Sequence, residues 1–463
     1  MTSNFKTCLL ALPFFMAACS HLPDQRLANQ ALLQGDTDTA RWHYSELANA
    51  GYVDSQIALG DLYLRSTDIA QIKQAEAWYR KAAQSSPKAK TRLGKLLAKD
   101  PDATPSRLRE AEGLLKTSLA NGDESSLVPL MMLYVENEAL WPNAEAQNLI
   151  DKGRAQGLPE ADIAQIKLYR IRGTLNEHMN DVEAVCERRV NEYESCYPEL
   201  ANIYALKDDH GKLDRLIEKL NDGYQDHIIT PRTLESVARV LVSPEIDAVT
   251  TKTLDSRIAI SKQLLEAISG EYPRAWIRLA RLAKAYPTQI STESLLDYID
   301  HGKQAGLLEA ELIEGRLYYE GRRVPMNPWL AEKHLSHAAQ EFKAAHYMLG
   351  QIYRRGYLGS ANYTKALEHL LIAARDGQAS ADFALAEMFS SGIGIKANRA
   401  TAYVFAHFAN ASGLNNERVV TLYQSLKDSL TRQEWEQAVA QIQRETQTRN
   451  TPPMLISQRD IIN

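Results

Sequence analysis

Self-similarity at a period of 35–36 residues constrains this chain more than any other feature. Three units near the C-terminus begin at Ala310 (AELIEGRLYYEGRRVPMNPWLAEKHLSHAA), Ala345 (AHYMLGQIYRRGYLGSANYTKALEHLLIAA) and Ala381 (ADFALAEMFSSGIGIKANRATAYVFAHFAN). Gly321, Gly356 and Gly392 are spaced 35 and 36 residues apart, and Ala331, Ala366 and Ala402 keep the same interval. The N-terminal part carries the pattern too, in Ile57–Tyr63 followed by Ala75–Ala83, and in Arg92–Leu96 followed by Ala111–Leu115. Weaker copies begin near Ala28, Ser125, Leu200 and Ala275. A period of this length means one supersecondary unit per repeat. One unit cannot cover its own apolar faces, so successive units must stack.

Within each unit apolar residues recur at i, i+3, i+4 and i+7, the signature of two amphipathic helices joined by a turn. Ala, Leu, Glu, Gln, Lys and Arg dominate and long β-branched runs are scarce, which favours helices throughout. The predicted fold is therefore all-α, a right-handed α-solenoid of helix–turn–helix repeats. At 463 residues the chain exceeds what one core organises, and an elongated array removes that difficulty. The first helix of a unit carries Gly or Ala where the second must approach closest: Gly60, Gly94, Gly315, Gly350 and Ala386. A mid-helix Gly costs about 1 kcal/mol against Ala, a cost that close helix packing offsets.

The N-terminus reads as an address. Lys6 precedes an apolar stretch from Cys8 to Ala17, too short to span a bilayer, which takes about 20 residues. Met16-Ala17-Ala18-Cys19 resembles the lipobox of bacterial lipoproteins, which implies cleavage after Ala18 and acylation of Cys19 with palmitate and related chains. Ser20 in place of Asp then implies sorting to the outer membrane, facing the periplasm. The expected organisation is a signal peptide (1–18), a lipid-anchored tether (19–27), N-terminal repeats (28–160), degenerate helical repeats (161–270), C-terminal repeats (271–413), capping helices (414–448) and a disordered tail (449–463). Cys186 and Cys196 remain in the mature chain. In an oxidising compartment a disulfide between them is expected, the alternative being two buried thiols.

Residues that suggest chemistry are few. His334 and His369, with His337 and His346 nearby, invite a metal reading, but both fall where the repeat places Trp78, and packing or capping roles are expected instead. No metal site and no cofactor is expected. Gly392-Ile393-Gly394 follows no strand and reads as a tight turn at positive φ, not a phosphate loop. The formal charge of −5 argues against a nucleic-acid partner, which needs clustered cations. One surface feature stands out. Arg322 and Arg323 follow the first helix of one unit, Arg354 and Arg355 end that of the next, and stacking would set them with Arg316 in a basic ridge for an acidic partner or polyanion. Trp42 and Trp78 read as buried by repeat position, whereas Trp141 and Trp329, each beside a Pro, are open to either environment.

Leu349-Gly350-Gln351-Ile352-Tyr353, and Ala75-Glu76-Ala77-Trp78-Tyr79 with Ala82-Ala83, resemble Sel1-like repeats, relatives of the tetratricopeptide repeat, across roughly residues 25–160 and 270–415. With the lipobox, the chain length and the N-terminal unit ARWHYSELANAGYVDSQIALGDLYL, the layout resembles the AlgK family of outer-membrane lipoproteins of alginate biosynthesis. That resemblance implies a non-enzymatic scaffold that localises an outer-membrane export porin. It further implies bridging of that porin to periplasmic alginate-modifying enzymes, protection of the anionic polysaccharide, and residence in outer-membrane lipid through acylated Cys19. The competing readings are an adaptor for another envelope complex such as cell-wall regulation, a helical glycan-active enzyme, and a carbohydrate-binding module whose groove is lined by exposed Trp and Tyr.

Overall fold

The computed structural model describes residues 22–65, 69–141, 145–243, 251–412 and 416–449; Cys19, the segment 1–18 read as a signal peptide and residues 450–463 lie outside them. The described residues form 24 α-helices and no strand. Two compact units divide the chain, residues 1–185 and 186–463, so the boundary falls inside the segment 161–270. Each unit is an α-solenoid of stacked helix pairs. In the first, Val53–Tyr63 pairs with Ile69–Ala82, and Pro87–Ala98 with Pro105–Ala120. In the second, Leu308–Glu320 pairs with Pro328–Ala338, Ala344–Arg355 with Tyr363–Arg375, and Ala379–Ser391 with Arg399–Ala411. Buried Ala and Leu from successive pairs form continuous cores, one running from Ile57 to Leu168 and one from Ala331 to Ile442. The first described helix starts at Gln25, capped by Asp24, so helical structure begins within the segment read as tether.

Close approach explains the glycines. A Cβ placed on Gly60 would lie 2.5 Å from the Tyr79 ring, and one on Gly94 2.7 Å from Leu115. On Gly315 it would lie 2.7 Å from Leu335, and on Gly350 2.6 Å from Leu370. The bare backbone of the first helix is the socket for a large side chain of the second.

The pairs of the second unit close with a bond set absent from the sequence reading. Gly321, Gly356 and Gly392 end their helices in the left-handed region (φ 66°, 70° and 68°), which frees the chain to turn back. The backbone N–H groups of Asn327, Asn362 and Asn398 then donate to the carbonyls of Tyr318, Tyr353 and Phe389, each nine residues earlier, at 2.9–3.0 Å. The same three Asn side chains accept from the N–H groups of Leu330, Lys365 and Thr401, capping the second helix at 3.0–3.1 Å. One residue thus fixes both the turn and the next helix start. Asn362→Ala is expected to lower stability by about 1 kcal/mol through loss of the cap, read as a shift in urea midpoint.

The C-terminal end is sealed by Glu417–Ser429 and Arg432–Thr448, the latter opened by a capping box of Thr431 and Glu434. Arg449, read as tail, is instead buried. Its guanidinium donates to both carboxylate oxygens of Asp382 at 2.7 and 3.0 Å and to the Ala374 carbonyl at 3.1 Å, and it lies 3.6 Å over the Phe408 ring. Docking against a buried carboxylate holds it where composition alone suggested disorder. Cys186 and Cys196, in Met179–Arg189 and at the start of Cys196–Leu206, are both fully buried and form no disulfide. Each fills core space as a small apolar side chain.

Candidate functional site

Three first helices of consecutive pairs in the second unit, Arg274–Ala285, Leu308–Glu320 and Ala344–Arg355, touch in order and bring their C-terminal ends to one surface. Periodicity aligns these ends, because each pair repeats the same rise and rotation. The surface carries most of the predicted arginines, but in two groups rather than one ridge. Arg316 and Arg322 gather with Lys284 around Glu320. Burial pushes the Glu320 carboxyl up, but Arg316, Lys284 and Arg322 outweigh it and hold it below the usual range. Burial, then Arg316, pulls the Lys284 ammonium down. Arg355 donates to the Tyr357 hydroxyl at 3.0 Å, and Tyr319 and Tyr347 complete an aromatic cluster around it. Burial raises the Tyr319 hydroxyl, keeping it neutral. Arg316, Arg322 and Arg355 are exposed, so the patch sets three cations, Lys284 included, around Glu320 beside Arg355 and three tyrosine rings.

Two predicted members leave the ridge. Arg323 turns inward and donates to the carbonyls of Ala283 (2.6 Å) and Ile290 (3.0 Å) and to the Thr292 hydroxyl (3.1 Å). It satisfies the Ala283 carbonyl, in the last turn of Arg274–Ala285, which a helix terminus otherwise leaves open. Arg354 is spent on Glu387 at 2.7 Å, a carboxylate it shares with Arg418 at 2.8 Å. The three tyrosines went unnoticed in the sequence because only the helix rotation shows which of Tyr318 and Tyr319 faces Arg355. Tyr318 stacks instead on His334, with ring centroids 6.0 Å apart.

The histidines divide likewise. His334 is bonded to Glu311 at 2.5 Å, with Glu314 at 3.5 Å, and these three groups are the one cluster of metal-ligand types among the described residues. Lys303 already sits on Glu314 at 2.6 Å, so an ammonium supplies the positive charge there. His337 joins Glu311 at 3.1 Å. The Nδ1 atoms of His346 and His369 are 2.7 Å apart, and Tyr353 stacks on His369. Burial first, then His346 and Lys365, holds His369 down at about 4, with Glu332 pulling the other way. An unfolded histidine takes its proton near 6.5, so between about pH 6.5 and 4 the unfolded chain binds more protons. Stability is therefore fully present above that window and falls as pH falls through it. His369→Gln is expected to narrow the gap in urea midpoint between pH 7 and pH 5; an unchanged gap would refute this source of acid sensitivity.

The tryptophans correct one expectation. Trp42 is 40% exposed, because its neighbour His43 takes the inward place and accepts from the Asp24 N–H at 3.2 Å. Trp78 is half-buried beneath Lys81, Trp141 is half-buried and donates to Glu112 at 2.9 Å, and Trp329 is 64% exposed.

Comparison with known proteins adds relatives along most of the chain. A family model described as the AlgK tetratricopeptide repeat domain matches residues 178–269, and the Sel1 repeat model matches 53–86, 343–378 and 379–414. The alginate biosynthesis protein AlgK of Pseudomonas syringae pv. tomato is 44% identical over 403 residues, covering 87% of this chain and 84% of that protein. AlgK of Pseudomonas aeruginosa is 42% identical, covering 87% and 83%, and that of Azotobacter vinelandii 40% identical, covering 88% of each. Among solved structures, the Sel1 repeat protein from Oxalobacter formigenes aligns with a TM-score of 0.39 at 17% identity, covering 90% of this chain and 98% of that one.

Proposed function

The chain belongs to the AlgK family of alginate biosynthesis proteins, and from that premise we propose that it is a non-catalytic scaffold of alginate biosynthesis and secretion. The observation that carries this reading is identity of 40–44% to AlgK proteins over nearly nine-tenths of the chain. Stacked pairs support it physically. They hold docking surfaces at fixed separations, and a membrane tether raises the effective concentration of membrane partners. In this reading the scaffold localises the outer-membrane export porin, engages periplasmic alginate-modifying enzymes and shields the polymer.

The patch of Lys284, Arg316, Arg322 and Arg355 with Tyr319, Tyr347 and Tyr357 suits an anionic uronate chain. Guanidinium groups pair with carboxylates, and tyrosine faces meet the C–H faces of sugar rings. The test is crosslinking and recovery from outer membranes of polymer-producing cells. A β-barrel porin in the recovered set supports the reading; peptidoglycan enzymes alone would transfer the scaffold to cell-wall regulation.

Anchoring has its own test. Each buried CH₂ contributes about 0.8 kcal/mol, and two or three acyl chains hold a protein stably where one does not. Cys19→Ser is expected to move the protein from the membrane to the soluble periplasmic fraction. Mass spectrometry of the parent chain should find Cys19 acylated at the mature N-terminus.

A further inference from the structure

The first unit contains a groove of about 560 Å³ formed by three first helices, Pro87–Ala98, Leu127–Glu136 and Pro159–Ile171. That volume lies in the range of ligand-binding clefts. Its walls differ in chemistry. Arg92, Lys95 and Lys99 stand at i, i+3 and i+7, a spacing that puts all three on one helix face. Arg92 lies 3.3 Å from Asp61, but Lys95 and Lys99 are exposed and make no ion pair among the described residues. Facing them are half-buried Val128 and Met132, an apolar floor. At the far end Lys167 is neutralised by Glu136 at 2.7 Å.

We propose that this groove docks an extended peptide segment of a partner protein, with acidic side chains on one edge and aliphatic side chains on the other. Three features select that occupant. The unpaired lysines call for carboxylates, and the apolar floor calls for a hydrocarbon side chain that a uronate polymer lacks. The lining holds no aromatic ring on which a sugar could stack. The spacing also fits. Lys95 and Lys99 are one helical turn apart, about 6 Å along the axis, and alternate side chains of an extended peptide recur at about 6.6 Å on one edge. An alternating acidic–aliphatic strand therefore puts every carboxylate toward the lysines and every aliphatic group toward Val128 and Met132. The groove lies wholly in the first unit, so the inference stands independently of the arginine–tyrosine patch.

The experiment uses the full-length mature chain and a fluorescein-labelled octapeptide of alternating Glu and Leu, followed by anisotropy. Saturable binding is expected, weakened about tenfold or more by the double substitution Lys95→Glu, Lys99→Glu, and weakening further as salt rises. Both lysines are exposed, so the helix survives their reversal, which circular dichroism checks. Met132→Gln, nearly isosteric, is expected to weaken binding severalfold while leaving its salt dependence unchanged. An alternating Glu–Ser octapeptide and a uronate hexasaccharide should bind at least tenfold more weakly. Absence of saturable Glu–Leu binding overturns the proposal, as does binding indifferent to both variants. A hexasaccharide that binds as tightly through the same lysines would assign the groove to the polymer instead.

Discussion

Arg449→Met is expected to cost about 3–5 kcal/mol of stability, the range for removing one partner of a buried ion pair. The side chains of Arg449 and Asp382 are 3% and 2% exposed, so neither can fall back on water. Burial pushes the Asp382 carboxyl up to about 6 against the pull of Arg449, yet at pH 7 it is still mostly ionised. Methionine fills much of the arginine volume but leaves that carboxylate facing hydrocarbon and the Phe408 ring. The loss should shrink at pH 5, where the orphaned carboxyl takes a proton. Adding Asp382→Leu should recover most of it, because two apolar groups of similar volume replace a matched pair. Urea denaturation of the parent chain and the two variants checks this. A single-variant loss under about 1 kcal/mol would show that the C-terminal end is held by its helices alone.

Gly350→Leu is expected to cost about 3 kcal/mol, at the upper end for overpacking a core. The first added carbon would already lie 2.6 Å from Leu370 Cγ and 3.3 Å from the Leu370 backbone N, so the second helix of that pair must move. Moving it would open the contacts with the pair on either side. A control separates crowding from helix propensity. Gly113 lies in Pro105–Ala120, and a Cβ there meets nothing within 4 Å. Gly113→Ala should therefore stabilise by up to about 1 kcal/mol. Opposite signs at Gly350 and Gly113 in denaturant midpoints support the packing argument; equal signs would defeat it.

The helix pairs and their close contacts were legible because they rest on period and residue size. Gly60, Gly94, Gly315 and Gly350 all lie against a large side chain of the paired helix, as the spacing implied. The segment 161–270 was harder to read for a reason the backbone supplies. Asp208 and His227 hold the left-handed turn positions (φ 56° and 58°) that Gly122, Gly306 and Gly377 hold elsewhere, so the punctuation that marks a repeat is missing. Asn327, Asn362 and Asn398 were visible as letters, but their bonds to carbonyls nine residues back belong to the folded turn.

The arginines were misassigned in part because helix rotation decides which guanidinium meets a carboxylate and which meets solvent. Arg323 and Arg322 are neighbours in sequence with opposite fates. Arg449 was hidden by the Pro-rich letters that follow it, which make the segment from 449 read as a tail although Arg449 itself is anchored.

Arg323 also bears on how this stack comes apart. Its three bonds reach back across a whole unit, to Ala283, Ile290 and Thr292, so the turn after Leu308–Glu320 completes the helix end before it. A segment that melts strips its predecessor of those donors and leaves open carbonyls behind. In an array where each member leans mainly on its neighbours, ties of this kind make local opening contagious. Unravelling then advances as a front along the chain rather than as scattered, isolated breathing.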